Sequence, residues 1–178
     1  MKSWILGIVL CLTACGAEMP QPVANGAPAP AFVGRTLAGD AVNFPEAYRG
    51  KVVALRFWAD WCPYCGPEMR DIEPVYQRLK TRGLEVVAVN AGQGRDAVAK
   101  FLAETPVSYP VLLDAELQAV GRYGVVGLPH TYLIDRAGVV RGRIIGEATA
   151  DVFERQVTAL LKSESPPPTR MTGEHHGT

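Results

Sequence analysis

The sequence predicts an α/β domain in which helices flank a central mixed sheet. Residues 51–58 and 84–90 are nearly continuous apolar runs, as expected of strands that are buried on both faces. A helix-length segment follows each run, over residues 63–82 and 95–104, which favours an alternation of strands and helices. The length of 178 residues suits one such domain with short tails.

The first elements follow from their turn and helix-breaking residues. Residues 32–44 predict an N-terminal hairpin, because a turn signal at residues 38–40 separates two short apolar stretches. The helix over residues 63–82 is expected to end at Gly83 and to bend at Pro74, since proline removes a helical hydrogen bond. The later elements, in chain order, are a strand at 111–113, a helix at 116–123, a hairpin of strands 131–134 and 139–145, and a closing helix at about 149–162.

The N-terminus is typical of an export signal. Lys2 supplies a positive charge, and residues 4–12 form an apolar run shorter than the ~20 residues of a membrane-spanning helix. The run ends in Leu-Thr-Ala-Cys at residues 12–15, which resembles the lipobox of bacterial lipoproteins and implies lipidation of Cys15. An ordinary cleaved signal with an incidental cysteine is the alternative. We therefore expect an exported, membrane-anchored protein that faces the periplasm or the extracellular side.

Composition divides the chain into four segments. Residues 16–30 contain four prolines and one charged residue, so we expect an extended tether without a packed core. Three prolines at 166–168 open a polar tail, in which His175 and His176 have no fixed ligand set for a metal. The predicted boundaries are a lipoprotein signal peptide at 1–14, a lipid-anchored flexible tether at 15–30, a domain at 31–163 and a disordered tail at 164–178.

Charge and cysteine content restrict the classes of function. Lys and Arg together number 18, as do Asp and Glu, so no net charge points to nucleic acid as a partner. The four cysteines fall into two pairs, with Cys11 and Cys15 in the export signal and Cys62 and Cys65 at the start of the long helix. This distribution favours separate uses over a disulfide framework.

The strongest chemical signal is Trp-Cys-Pro-Tyr-Cys at residues 61–65. A strand leads through a turn into a helix, so Cys62 is expected at a helix N-terminus, where the positive end of the dipole stabilises a thiolate. Cys62 is then the nucleophile, and Cys65, one turn later, resolves a mixed disulfide. A zinc site is disfavoured because no second cysteine pair or suitably spaced histidine follows. A purely structural bridge would close too short a loop to stabilise the fold much.

This motif and several others resemble the thioredoxin superfamily and, within it, the ResA/TlpA group of membrane-tethered thiol-disulfide oxidoreductases. The matching stretches are residues 50–53, 57–65, 85–90, 109–114, 126–129 and 131–135, and the resemblance extends over about residues 32–162. It implies a thioredoxin-like fold without a cofactor, and a reductant of client-protein disulfides outside the cytoplasm. A membrane thiol reductase would supply the electrons, and apocytochrome c during haem attachment is an implied client.

The same resemblance assigns residues to client binding and proton transfer. Pro129 matches the superfamily's cis-proline, which faces the cysteine pair and leaves the backbone of Leu128 to bind an extended client. Trp61 is assigned to client binding as well. Glu68 shares a helix face with Cys65 and matches the active-site carboxylate that handles the proton of the buried thiol. Without the resemblance, Pro129 would be an ordinary trans turn proline and Glu68 a solvated residue near the helix start.

Arg56 departs from the superfamily pattern. Thioredoxin has a buried aspartate six residues before its first cysteine, and this chain has Arg56 at that position. A buried cation is costly unless it is paired, and Asp60 and Glu68 are its nearest candidate partners. An arginine that reaches solvent is the alternative. The departure shifts the proton-handling role toward Glu68.

Three further functions are alternatives. A general exported or DsbA-like disulfide oxidase would fit Pro63 between the cysteines and a charge at Arg56, both of which would stabilise the thiolate. Against it, no extra helical domain interrupts the predicted strands. A copper-binding relative would use the two thiolates together with His130, which directly follows Pro129. A peroxidase is disfavoured, because the sequence contains no Thr-x-x-Cys motif.

Overall fold

A seven-stranded sheet forms the centre of the domain. The computed structural model describes residues 21–163, and within them lie seven strands, four α-helices and two short 3-10 turns. The strands are β1 (Phe32–Arg35), β2 (Ala41–Phe44), β3 (Val52–Trp58), β4 (Leu84–Ala91), β5 (Val111–Asp114), β6 (His130–Ile134) and β7 (Val140–Ile145). The helices are α1 (Cys65–Leu79), α2 (Arg95–Glu104), α3 (Gln118–Tyr123) and α4 (Ala150–Lys162), and the 3-10 turns are Glu46–Tyr48 and Lys80–Arg82.

The strands lie in the order β2-β1-β5-β4-β3-β6-β7. β4 pairs in parallel with both β3 and β5, whereas β6 runs antiparallel to β3 and to β7. β1 and β2 form an antiparallel pair at one edge, joined by a hydrogen-bonded turn at residues 36–40. The sheet is therefore mixed, and the predicted α/β fold with a central mixed sheet is confirmed.

Two hydrophobic layers enclose the sheet. Because side chains alternate along a strand, β3 directs Ala54 and Trp58 to one face and Leu55 and Phe57 to the other. The first face packs against α1, α2 and α4, and the second packs against α3 and the edge strands. All seven residues of β3 are buried. Truncation of one of these large side chains, for example Leu55→Ala, would lower the free energy of unfolding by about 2–5 kcal/mol.

Helix α1 begins later than the sequence predicted. Its first residue is Cys65, with Tyr64 as the N-cap, whereas the predicted helix began at residue 63. The Cys62 amide donates to the Ala59 carbonyl, and the Cys65 amide donates to the Cys62 carbonyl. These two bonds form a turn that precedes the helix, so the cysteine pair spans the turn and the first helical residue.

A glycine ends the helical stretch that α1 begins. The helix passes into the 3-10 turn Lys80–Arg82, and the chain then reverses at Gly83. The φ angle of Gly83 is 95°, a left-handed conformation that glycine adopts without a steric penalty. The predicted stop at Gly83 is thus confirmed. Pro74 lies inside α1.

The segment before β1 is packed on the domain, so the predicted flexible tether over residues 15–30 is wrong for its described part. The Gly26 amide donates to the Val140 carbonyl at 2.7 Å, and the Val140 amide donates to the Ala27 carbonyl at 2.9 Å. Ala29 is buried. The segment pairs with the outer edge at the start of β7, where the backbone groups of Val140 would otherwise face solvent unpaired.

The same segment is fixed from its first described residues onward. The Val23 amide donates to the Tyr132 hydroxyl at 3.3 Å, and that hydroxyl donates to the Tyr123 carbonyl. The Gln21 carbonyl passes so close to Gly124 that a Cβ at this glycine would collide with it. The domain therefore begins at the start of the described chain, well before the predicted boundary.

Several predictions fall on parts of the chain outside the described residues. These are the signal peptide at 1–14, the lipidated Cys15, the first part of the tether and the tail at 164–178. Between residues 21 and 163, no helix combines the length and the apolar character needed to span a membrane.

Candidate active site

A disulfide joins Cys62 and Cys65 where β3 leads into α1. Their Cα atoms lie 5.4 Å apart, and both residues are buried in this oxidised form, with 3% of Cys62 and 0% of Cys65 exposed. They pack beside Trp58 in the layer between the sheet and α1. Because α1 begins at Cys65, Cys62 lies in the turn before the helix and not within its first turn. The greater reactivity of Cys62 stays a prediction.

A buried ion pair joins β3 to α1, the two elements that flank the cysteine turn. The Arg56 guanidinium donates through Nη1 to Glu68 Oε1 at 2.7 Å, and the two side chains are 1% and 2% exposed. The same Nη1 donates to Thr131 Oγ1 at 3.3 Å. Of the two partners that the sequence offered Arg56, the structure selects Glu68, and the alternative of a solvent-reaching arginine is wrong.

The pair occupies a site with few other polar contacts. Arg56 Nε and Nη2 and Glu68 Oε2 are buried, and they have no hydrogen-bond partner among the residues that the structure describes. Tyr109 approaches from the segment before β5 and donates to the Met69 carbonyl at 3.2 Å. Burial raises the pKa of Tyr109, so its phenol stays protonated at neutral pH. Each charge of the pair thus depends mainly on the other for its stabilisation.

The peptide bond between Leu128 and Pro129 is cis, as the sequence predicted from the family resemblance. The Pro129 carbonyl accepts a hydrogen bond from the Gly146 amide at 2.9 Å, which ties the loop to the end of β7. Leu128 is half-buried and lines the same groove as Trp61. The fold therefore brings two of the predicted client-binding residues together beside the cysteine-bearing turn.

His130 does not face the disulfide. Its ring stacks on that of Tyr132 with centroids 4.7 Å apart, and Tyr132 belongs to the hydrophobic layer on the opposite face of the sheet from the cysteines. The copper alternative fails on this point, since it needs the imidazole beside the two thiolates. Burial, and secondarily the charge of Arg143, lower the pKa of His130 to about 4, so the ring is neutral at pH 7.

Exposed apolar side chains surround the disulfide. In the described chain, six large hydrophobic residues are strongly exposed, and five of them lie around the cysteine turn and the cis-proline loop. The five are Trp61, Tyr64, Leu117, Val126 and Ile145. The sixth, Val33, lies on β1, three strands away from β3. Clustered apolar exposure of this kind marks a surface that contacts another molecule.

Part of this surface forms a groove of about 350 Å³. Its lining includes Trp61, Ala91, Gly92, Leu117, Val126 and Leu128. Leu117 is 47% exposed, and its φ of 57° is a left-handed conformation. This conformation costs a leucine roughly 1–2 kcal/mol. A Cβ on Gly92 would lie 3.0 Å from Leu117 Cδ2, so this glycine makes room for the leucine side chain.

A polar cluster that no sequence motif indicates holds the residue before the cysteine turn. Gln93 Oε1 accepts from the Asp60 amide at 2.8 Å, and Gln93 Nε2 donates to Asp60 Oδ1 at 2.5 Å. Asn90, which is fully buried, donates to Gln93 Oε1 at 2.9 Å and accepts from the Gln93 amide at 3.2 Å. No motif marks Gln93, because its role depends on a residue 33 positions away in the chain.

Comparisons with known proteins agree with this geometry. Residues 25–143 match the AhpC/TSA family. The chain is 37% identical over 138 residues to the thiol-disulfide oxidoreductase ResA of Geobacillus kaustophilus, which covers 78% of this chain and 79% of the relative. It is 32% identical over 145 residues to ResA of Bacillus subtilis, and this match covers 82% of this chain and 80% of the relative. The fold is similar to that of a putative thiol:disulfide interchange protein DsbE from Chlorobium tepidum, with a TM-score of 0.73 and 35% identity. This match covers 78% of this chain and 99% of the Chlorobium chain.

Proposed function

The chain belongs to the AhpC/TSA family and is a thiol-disulfide oxidoreductase of the ResA type, and from this premise we propose that it reduces client-protein disulfides outside the cytoplasm. One observation carries the proposal: the Cys62–Cys65 disulfide is surrounded by exposed apolar side chains, as suits a protein-sized substrate. The reduced form of the protein would be the reactive one.

The proposed reaction is a two-step exchange. The Cys62 thiolate attacks one sulfur of the client disulfide, the client S–S bond breaks, and the second client sulfur leaves as a thiolate that takes up a proton. The Cys65 thiol then loses its proton and attacks Cys62 Sγ, which releases the first client sulfur. Two electrons pass from the protein to the client, and the Cys62–Cys65 disulfide forms. A membrane thiol reductase would return the electrons through the same chemistry.

Glu68 is the proposed acceptor of the Cys65 proton. It lies one helical turn beyond Cys65 on the same face of α1, and its carboxylate is buried and held by Arg56. Arg56 holds Oε1, whereas Oε2 has no hydrogen-bond partner among the described residues and can accept the proton. We therefore assign Glu68, with Cys62 and Cys65, to the proposed catalytic machinery.

The groove is the proposed binding site for the client segment that carries the disulfide. Trp61 and Leu128 line it beside the cysteine turn, and Leu117 and Val126 extend it away from the disulfide. Leu128 precedes the cis-proline and, as the resemblance implies, its backbone would pair with an extended client. We therefore expect clients with a bulky apolar residue close to the reactive cysteine. The client that the family resemblance implies is the oxidised Cys-x-x-Cys-His haem-attachment site of apocytochrome c.

The pairing of Arg56 with Glu68 bears on the direction of electron flow. A free cation behind the cysteines would stabilise their thiolates and make the protein a better oxidant. The charge of Arg56 is instead cancelled by the carboxylate 2.7 Å away. This removes the charge argument for a DsbA-like oxidase and leaves the argument from Pro63, between the two cysteines, as it was.

The reduction potential of the Cys62–Cys65 pair tests the proposed direction. We expect a value below the glutathione range of about −220 to −260 mV. A value near the DsbA potential of about −120 mV would instead identify an oxidase. A second assay would follow reduction of a synthetic peptide with an oxidised Cys-x-x-Cys-His segment, with the Cys62→Ser protein as the inactive control.

The proposed location rests on the sequence around Cys15. A lipid on this cysteine would hold the domain at a membrane surface. The Cys15→Ala protein should lose the acyl mass and leave the membrane fraction. Unchanged mass and partitioning would contradict the lipid anchor without touching the redox proposal.

A further inference from the structure

We infer that Gln93 is a positioning residue for client exchange, and that it acts by clamping the Asp60 turn against the wall of the client groove. The inference rests on the proposed function, because it assumes that the groove receives a protein client. Gln93 does not touch the sulfurs. It acts through Asp60, which precedes Trp61 and Cys62 in the chain.

The clamp consists of four hydrogen bonds. The side-chain amide of Gln93 contacts Asp60 twice, once at the backbone amide and once at the carboxylate, over 2.8 and 2.5 Å. Asn90 supports Gln93 from the core side through two further bonds, at 2.9 and 3.2 Å. Asn90 is itself anchored, because it is fully buried and lies opposite Trp58 in the parallel pair of β3 and β4.

The position of the clamp connects the two sides of the groove. Trp61 lies on the side next to Asp60, whereas Ala91 and Gly92 lie on the side next to Gln93. Only Trp61 separates Asp60 from Cys62, and one backbone bond spans these residues, from the Cys62 amide to the Ala59 carbonyl at 3.3 Å. The Gln93 amide therefore determines how Trp61 and Cys62 are oriented toward a client in the groove.

A loss of this orientation affects large and small substrates differently. A client held in the groove must present its disulfide in line with Cys62 Sγ, and a misplacement of about 1 Å can cost up to ~100-fold in rate. A small disulfide approaches Cys62 without using the groove, so it does not need the same alignment. The ratio of the two exchange rates therefore reports on positioning, independently of the intrinsic reactivity of the thiolate.

Three variants test the clamp: Gln93→Glu, Asp60→Asn and the double variant that combines them. Gln93→Glu replaces the donating Nε2 by a carboxylate oxygen that faces Asp60 Oδ1, so the clamp opens by like-charge repulsion. Asp60→Asn keeps an acceptor for Gln93 in the single variant, and in the double variant its amide donates to the new glutamate. The double variant should thus rebuild the clamp with donor and acceptor exchanged.

The assay compares single-turnover rates of the reduced full-length protein with insulin and with glutathione disulfide. We expect Gln93→Glu to slow insulin reduction about tenfold relative to glutathione disulfide, Asp60→Asn to keep the wild-type ratio, and the double variant to recover it. Thermal unfolding of each variant checks that the domain is folded. An equal slowing of both substrates, or no recovery in the double variant, would refute the positioning role. If the wild-type protein does not reduce insulin at all, the proposed function itself fails.

Discussion

Arg56 and Glu68 form a 2.7 Å ion pair in the core, one helical turn from Cys65, with at most 2% of either side chain exposed. One charge comes from the central strand β3 and the other from the first turn of α1. The pair therefore links the sheet to the helix that carries Cys65, and it joins the stability of the domain to the electrostatics of the active site.

The first prediction concerns stability. Arg56→Met leaves a buried carboxylate without its partner, so it should lower the free energy of unfolding by about 3–5 kcal/mol. The double variant Arg56→Met with Glu68→Met should recover much of this loss, because it removes both charges. Urea unfolding at pH 7 measures the effect. The exposed pair Arg78–Glu154 is the matched control, and Arg78→Met should cost less than about 1 kcal/mol.

The second prediction concerns the titration of the thiols. Glu68→Gln removes a negative charge near the cysteines, so the rate of Cys62 alkylation should reach its plateau at lower pH, and disulfide exchange should slow. Arg56→Met removes the opposing charge and should move the same profile to higher pH. Iodoacetamide labelling of the reduced proteins from pH 4 to 9 provides the curves. Superimposable curves for wild type and both variants would mean that the pair has no influence on the active site.

The third prediction concerns acid sensitivity. The pKa of His130 is lowered to about 4 in the folded protein from an ordinary 6.5, so the unfolded chain binds more protons between these pH values. Its contribution to stability is complete above pH 6.5 and is lost as the pH falls toward 4. His130→Phe keeps a ring against Tyr132 and should reduce the stability loss between pH 7 and pH 5 by about 2 kcal/mol. The tail variant His175→Ala with His176→Ala, measured in the same urea titrations, should retain the wild-type loss.

The fourth prediction separates client binding from stability at Leu117. Leu117→Asn suits both the left-handed φ of 57° and the N-cap position of α3, so it should raise the free energy of unfolding by about 0.5–1 kcal/mol. It also removes an apolar wall of the groove and should slow insulin reduction several-fold. The control is Val33→Thr, which alters another exposed apolar residue, outside the groove. Insulin reduction at the wild-type rate by Leu117→Asn would remove this residue from the client site.

Much of the fold could be predicted because its signals are local. Helix α2 has the predicted bounds, and β3 was recognised from an apolar run that needs no partner to be identified. The cysteine pair and the cis bond at Pro129 were recognisable from the family motif. In each case the determining residues are adjacent in the chain.

The remaining features depend on tertiary contacts that no local pattern encodes. The start of α1 depends on a turn closed by the Cys62 amide, and the packing of residues 26–29 depends on the backbone at the start of β7. Gln93 looks like an ordinary loop residue until the fold brings it to Asp60. Leu117 is invisible for a different reason, since its unusual backbone conformation becomes apparent only in three dimensions.

Because the chain is packed on the domain from Gln21 onward, the distance between the domain and a lipid on Cys15 would be limited. A tether ending at residue 30 would allow the domain to range up to ~50 Å from its anchor, whereas one ending at Gln21 allows only ~20 Å. The volume of the accessible hemisphere shrinks roughly fifteenfold, because it scales with the cube of this reach. The active site would then sample disulfides within a thin shell above the bilayer, at a correspondingly higher encounter frequency with membrane-bound partners than with freely diffusing ones.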